Sequence, residues 1–231
     1  MEVLFNQKIA RSYDRWAETS HGKKAYALEG ELLLKLGELV VGQRVLEVGC
    51  GTGAHLEIFL RGELNAVGVD ISPHMLHVAR QKLGRRVRLC LGDAGNLPFK
   101  GESFDCVALI TTLEFLHDPE GALREALRVS TGKVLLGVLN KYSFLGMKRR
   151  FVGMFRPSIF NRAQFYSIGE LRRLLAKVVP EAIVEWASVL VLPMSWQHRL
   201  GGLERWLSFR RNPLGAFLGL RVSAEKAKLI P

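Results

Sequence analysis

"VLEVGCGTGAHLEIFL" (Val45–Leu60) decides how the rest of this chain is read. An apolar run leads into three glycines at alternate positions, Gly49, Gly51 and Gly53, and a helix-like pattern follows. Glycine has no Cβ and tolerates backbone angles that other residues avoid. A ligand can therefore come close to the amides at the start of the following helix, where the dipole is positive. A strand, a tight turn and a helix in this order predict a cradle for a polar or anionic ligand.

Working outward, "RVLEVG" (Arg44–Gly49) reads as a buried strand. Upstream, Phe5, Ile9, Tyr13 and Trp16 recur on one helical face, and Leu28, Leu32, Leu36 and Leu39 on another, with Gly42 beyond. Two helices are expected before the first strand. Downstream, "NAVGVD" (Asn65–Asp70), "RVRLCLGD" (Arg86–Asp93), "FDCVALIT" (Phe104–Thr111) and "KVLLGVLN" (Lys133–Asn140) read as strands. Helices are expected between them. "SPHMLHVARQKL" starts with Ser72 as cap and Pro73 in the first turn, and "PEGALREALRV" spans Pro119–Val129. Alternating strands and helices predict a doubly wound, mostly parallel α/β sheet.

The rhythm breaks at Lys141. Residues 141–166 are aromatic and basic. "SIGELRRLLAKV" (Ser167–Val178) opens with the capping-box pair Ser167 and Glu170 and predicts a helix. "EAIVEWASVLVLP" (Glu181–Pro193) and "GAFLGLRV" (Gly215–Val222) read as strands, with Leu200, Leu203 and Trp206 or Leu207 on a helical face between them. The expected layout is one domain: helical lid 1–42, ligand-binding core 43–140, basic aromatic insert 141–166, and a C-terminal helix and strand hairpin 167–231.

Charge follows this layout. Residues 1–140 hold 17 basic and 17 acidic side chains, and residues 141–231 hold 16 and 5. The formal charge of +11 therefore lies entirely in the C-terminal part, which predicts an anionic surface or substrate as its neighbour. No apolar run approaches the roughly 20 residues that span a bilayer. Cys50, Cys90 and Cys106 are too few and too scattered for a disulfide framework or a zinc signature. The expected location is the cytoplasm, with peripheral contact at a membrane.

The glycines alone leave the ligand open, because "GCGTGA" also satisfies the dinucleotide pattern, with Ala54 in last place. Asp70, at the end of the second strand, could accept from two adjacent ribose hydroxyls. Three further features narrow the choice: Glu47 two residues before Gly49, "GDAGNLPF" (Gly92–Phe99) and "FDCVALITTLEFLHDP" (Phe104–Pro119). With them the sequence resembles class I S-adenosylmethionine-dependent methyltransferases. It looks most like the branch that includes the ubiquinone/menaquinone C-methyltransferases and many small-molecule methyltransferases. The resemblance runs from about Tyr13 to Asn140.

That resemblance implies a seven-stranded Rossmann-like sheet with an antiparallel last strand, and S-adenosyl-L-methionine as cofactor. Gly49, Cys50, Gly51 and Gly53 would form the cradle for its methionine end, and Glu47 would orient the amino group. Asp70 would hold the ribose, with Ile71 and Met75 against the adenine. Asp93 would accept from the adenine amino group, with Ala94 on the ring. Thr111 and Thr112 would lie near the sulfonium, and Tyr13 and Trp16 would close over the cofactor.

Methyl transfer from a sulfonium is an in-line displacement, so a base is needed only where the acceptor must lose a proton. His117, His21 and Tyr166 are the candidates. Relatives carry a histidine where this chain has Phe115. Strand four ends in "ITTLEF", not in an Asn/Asp-Pro-Pro-aromatic motif, which argues against transfer to a nucleobase amine. No carboxylate cluster suggests a metal. The insert interleaves Tyr142, Phe144, Phe151, Phe155, Phe160 and Phe165 with Lys148, Arg149, Arg150, Arg156 and Arg162. This pattern suits an apolar or anionic small-molecule acceptor, or an anionic membrane surface. The second reading is RNA methylation, and the third is a catalytically silent cofactor-binding protein.

Overall fold

The computed structural model describes residues 5–144, 146–147, 159–193, 196 and 199–224; the side chain of Phe160 lies outside that description. Two helices come first, α1 (Gln7–Glu18) and α2 (Ser20–Gly37). Asn6 caps α1 by accepting from the Ile9 amide, and Thr19 caps α2 by accepting from Gly22. Then follow β1 (Arg44–Val48), α3 (Ala54–Arg61), β2 (Asn65–Asp70), α4 (Pro73–Leu83) and β3 (Arg88–Leu91). After these come β4 (Cys106–Ile110), α5 (Pro119–Val129) and β5 (Lys133–Leu139). The chain continues with α6 (Ile168–Val178), β6 (Ile183–Val189), α7 (Gly201–Leu207) and β7 (Phe217–Ser223). Single 3-10 turns cover Leu113–Phe115 and Ile159–Arg162.

The seven strands form one sheet in the order β3-β2-β1-β4-β5-β7-β6. β7 runs antiparallel to both of its neighbours, and the other pairings are parallel. The expected seven-stranded Rossmann-like sheet with an antiparallel last strand is therefore present. Observed strands are shorter than the apolar runs that predict them. β3 covers Arg88–Leu91 within Arg86–Asp93, and β4 covers Cys106–Ile110 within Phe104–Thr111, because the flanking residues turn into loops.

Both faces of the sheet are covered. One core cluster holds Leu46, Val48, Leu109 and Leu136 against Leu123 and Leu127 of α5 and Leu171 and Leu175 of α6. The other holds Val45, Cys106 and Leu135 against Leu32 and Leu33 of α2 and Leu56 and Phe59 of α3. Such burial contributes about 1.5–3 kcal/mol per large side chain. The helix caps match the sequence reading. Ser72 accepts from Met75, and Ser167 and Glu170 form the complete capping box of α6.

Strand order reverses between β1 and β4, so their C-terminal ends diverge and leave a crevice. The 141–166 insert leaves and re-enters beside it. Tyr166 N donates to Leu139 O at 3.2 Å, and Lys141 N donates to Tyr166 O at 2.9 Å. Its middle, with Lys148, Arg149, Arg150, Phe151, Phe155 and Arg156, lies outside the described residues.

Candidate active site

A cavity of about 1300 Å³ opens at that switch point. Its floor is the loop after β1. Gly49, Gly51 and Gly53 all have positive φ, at 71°, 52° and 81°. Each does a different job. A Cβ on Gly49 would meet Thr112 Oγ1 at 2.5 Å, so this glycine lets β1 and β4 close together. A Cβ on Gly53 would meet Leu83 Cδ1 at 2.7 Å, so this one seats α3 on α4. A Cβ on Gly51 would meet nothing within 4 Å, and Gly51 lines the cavity. Of these three, Gly51 alone leaves bare backbone facing open space.

Asp70 is held beside it. Gly51 N donates to Asp70 Oδ2 and Ser72 N to Asp70 Oδ1, both at 2.8 Å. Burial raises the Asp70 carboxyl above its ordinary range, and the backbone donors Ser72, Gly51 and Ile71 pull it back. Each oxygen has capacity for a further donor, and Asp70 lines the cavity.

Glu47 lies under the loop, almost fully buried, and its Oε2 has no hydrogen-bond partner. Burial, then the Asp70 charge, pushes this carboxyl well above its usual range. Its Oε1 is 3.7 Å from His55 Nδ1, while His55 Nε2 is 3.3 Å from Glu29 Oε2. Tyr26 packs edge-on against His55, and Trp16 edge-on against Tyr26, with centroids 5.0 and 5.4 Å apart. A column of aromatic and ionisable groups thus runs from α1 through α2 to the glycine loop.

The N-terminal helices are anchored over the cavity. Ser72 Oγ donates to Phe5 O at 2.6 Å, and the Phe5 ring packs edge-on against Phe115 and Tyr13. Asp14 pairs with Lys82 of α4. Met75 is buried in the wall and Ile71 is exposed at it. Asp93 accepts from Gly95 N at 2.8 Å in a tight turn next to buried Ala94. Thr111 takes a left-handed conformation, φ 52°, and donates its amide to Gly137 O. Such a non-glycine angle costs about 1–2 kcal/mol. Thr112 donates its hydroxyl back to the sheet, to Val48 O at 3.0 Å or Ile110 O at 3.1 Å.

Of the sequence-derived site residues, Tyr13, Trp16, Glu47, Gly49, Cys50, Gly51, Asp70, Ile71, Met75, Asp93, Ala94, Thr111 and Thr112 line this cavity together; Gly53 faces α4 instead. His21 and His117 stand exposed at its rim. Tyr166 does not reach it. Its ring is buried in the core, its hydroxyl donates to Leu113 O at 3.4 Å, and burial lifts its pKa to about 12. A base there would have to act through the packed core, so Tyr166 is a structural residue.

Sequence reasoning missed Tyr26, Glu29 and His55. His55 follows the glycine loop directly, and that adjacency was its one signal. Glu29 lies inside a leucine-patterned helix and had none. Also missed was the far wall of the cavity, Leu190, Val191, Leu192 and Pro193, with Ile159 and Arg162 from the end of the insert.

This sheet order, with a glycine loop and an acid at the ends of β1 and β2, is the fold of class I S-adenosylmethionine-dependent methyltransferase domains. Residues 46–136 match a family model described as a methyltransferase domain. An uncharacterized protein of Methanocaldococcus jannaschii is 36% identical over 141 residues, 60% of this chain and 63% of its own length. A demethylmenaquinone methyltransferase of Tropheryma whipplei is 33% identical over 136 residues, 54% of this chain and 52% of its own. The chain thus spans less than two thirds of each of these relatives. A solved S-adenosylmethionine-dependent methyltransferase of Thermotoga maritima, described as a possible histamine N-methyltransferase, superposes with a TM-score of 0.74 at 27% identity. The match covers 96% of this chain and 98% of that one. These matches are to methyltransferases, and the Thermotoga structure is described as S-adenosylmethionine-dependent.

Proposed function

We propose that this protein transfers the methyl group of S-adenosylmethionine to a small acceptor that is largely apolar and carries a polar or anionic group. One observation carries the reading. A single cavity is lined both by the glycine loop and Asp70 and by the apolar side chains of Phe115, Phe144 and Leu190–Pro193, with Arg162 among them.

The residues present fit the cofactor. Gly51 offers bare amide backbone, Asp70 a pre-oriented carboxylate for ribose hydroxyls, and Glu47 an orphaned buried oxygen for an ammonium group. Asp93 and Ala94, with Ile71 and Met75, would flank the adenine. Tyr13 and Trp16 would cover the cofactor, and Cys50, Thr111 and Thr112 would border the reacting end. When bound, the cofactor supplies an electrophilic methyl on sulfur. The chain's share is to hold both partners in line and keep water out, and positioning of this kind can supply much of the rate. His21 or His117 at the rim would take a proton where the acceptor must lose one.

Incubating the protein with methyl-labelled cofactor and fractionated cell extract tests this. Label in an apolar small-molecule fraction supports the reading. Label in RNA overturns it, and tight cofactor binding without transfer to any fraction would make the protein a cofactor-binding module. Demethylmenaquinone, for which the Tropheryma relative is named, belongs among the purified acceptors tried.

A further inference from the structure

The β6–β7 connection has two sides. Its first residues, Leu190–Pro193, wall the cavity. Beyond them lies α7, and Glu204 locks the two together. This buried carboxylate accepts from Val191 N at 3.0 Å and Leu192 N at 2.8 Å, and from Ser208 Oγ at 2.5 Å. With Glu204 and Ser208 turned inward, Leu203 and Trp206 must face out. They are 43% and 60% exposed, and Trp196 and Leu200, just before α7, are 59% and 40% exposed. A single exposed apolar side chain is ordinary; four on one short segment, two of them tryptophan, mark an interaction surface.

The same segment is strongly basic. Arg199, Arg205, Arg210 and Arg211 are exposed, and among the described residues no carboxylate pairs with them. The Arg210 guanidinium stacks over the Trp206 ring, 5.1 Å from its centroid, which places cation and indole at one level.

We propose that this outer face of the β6–β7 connection docks the protein on an anionic phospholipid bilayer. Indole rings at headgroup depth, leucines at the acyl boundary and arginines on lipid phosphates are the arrangement an interfacial segment needs. RNA would use the arginines and stack on the indoles, but it gives Leu200 and Leu203 nothing to bury against. The bilayer satisfies both sets, and the +11 charge of residues 141–231 complements it. Because Glu204 ties α7 to Val191 and Leu192, docking would set the acceptor end of the cavity beside the lipid. This link to acceptor supply rests on the function proposed above; the docking does not.

Co-sedimentation of the full chain with phosphatidylcholine vesicles, with and without phosphatidylglycerol, tests the proposal. Binding is expected only with phosphatidylglycerol, weakening as salt rises. Leu203→Ala with Trp206→Ala should lower it by more than about tenfold. Arg199→Glu with Arg205→Glu should lower it by at least about fivefold per arginine. All four side chains face solvent, so these variants should fold and bind methyl donor in calorimetry like the parent. Equal sedimentation with both vesicle types overturns the proposal. So does unchanged binding by the Leu203/Trp206 variant, or retention on RNA with none on vesicles. Loss of donor binding by the parent would sink the enzyme reading instead, leaving vesicle binding as an independent result.

Discussion

The Gly51 amide donates to Asp70 Oδ2 at 2.8 Å, and that bond joins the glycine loop to the acid at the end of β2. The loop after β1 and the acid after β2 come from strands that pair in parallel, with Val48 opposite Val69. Their ends are therefore adjacent, and the carboxylate is oriented by amides of both loops.

Asp70→Ala removes the ribose acceptor and also the partner of the Gly51 and Ser72 amides. Cofactor binding should weaken by about 1–3 kcal/mol. The unliganded protein should lose about 1–2 kcal/mol as well, because two amides lose their acceptor. Titration calorimetry and thermal melts read the two effects separately. Unchanged affinity with lowered stability would make Asp70 a loop brace only.

Gly51→Ala and Gly49→Ala separate cradle from framework. At Gly51 the added methyl meets open space, so the fold should lose only about 1 kcal/mol of backbone strain while cofactor affinity falls about tenfold or more. At Gly49 it meets Thr112 at 2.5 Å, so stability should fall by about 1–3 kcal/mol. Equal losses of affinity and stability at both positions would contradict this division.

Glu47→Gln tests an acceptor kept at a cost. A buried, unpartnered carboxylate oxygen disfavours the unliganded fold. Its neutral isostere should raise the unliganded Tm by about 2–4 °C per kcal/mol gained. The stabilisation produced by added cofactor should shrink, because the ammonium loses a charged partner. A cofactor-induced Tm shift equal to the parent's would remove Glu47 from the site.

Glu114 predicts a pH-dependent stability. It is buried beside the exit of β4, its Oε1 accepts from Leu139 N at 2.6 Å, and burial pushes its pKa up to about 8. Because the folded value lies above the unfolded one, the protonated acid favours the fold. Its contribution is complete below the ordinary carboxyl range and is lost as pH rises through about 8. Chemical denaturation should show stability falling by about 2–4 kcal/mol over that window. Glu114→Gln should flatten the slope, and an unaltered slope would assign it to other groups.

Much of this was legible along the chain. Period-two and period-3.6 patterns showed the alternation of strand and helix, because each element must bury one face or stripe whatever its neighbours are. Ser72 and Ser167 marked helix starts, since a cap is a bond between residues three apart. Gly49, Gly51, Gly53 and Asp70 were visible because backbone freedom and a strand-end acid are local requirements. Their division of labour was not. All three glycines have positive φ, yet only packing against Thr112, Leu83 or open space tells them apart.

The sequence by itself therefore determined the order of elements, the glycine loop and the acid beside it, all set by contacts between near neighbours in the chain. The tertiary structure alone decided the rest. It brought Glu29 and Tyr26 of α2 to His55 and Glu47, drew Tyr166 into the core, and brought Leu190–Pro193 into the same cavity as the glycine loop. Such meetings depend on how helices and loops settle across a sheet, and no spacing along a single chain encodes them.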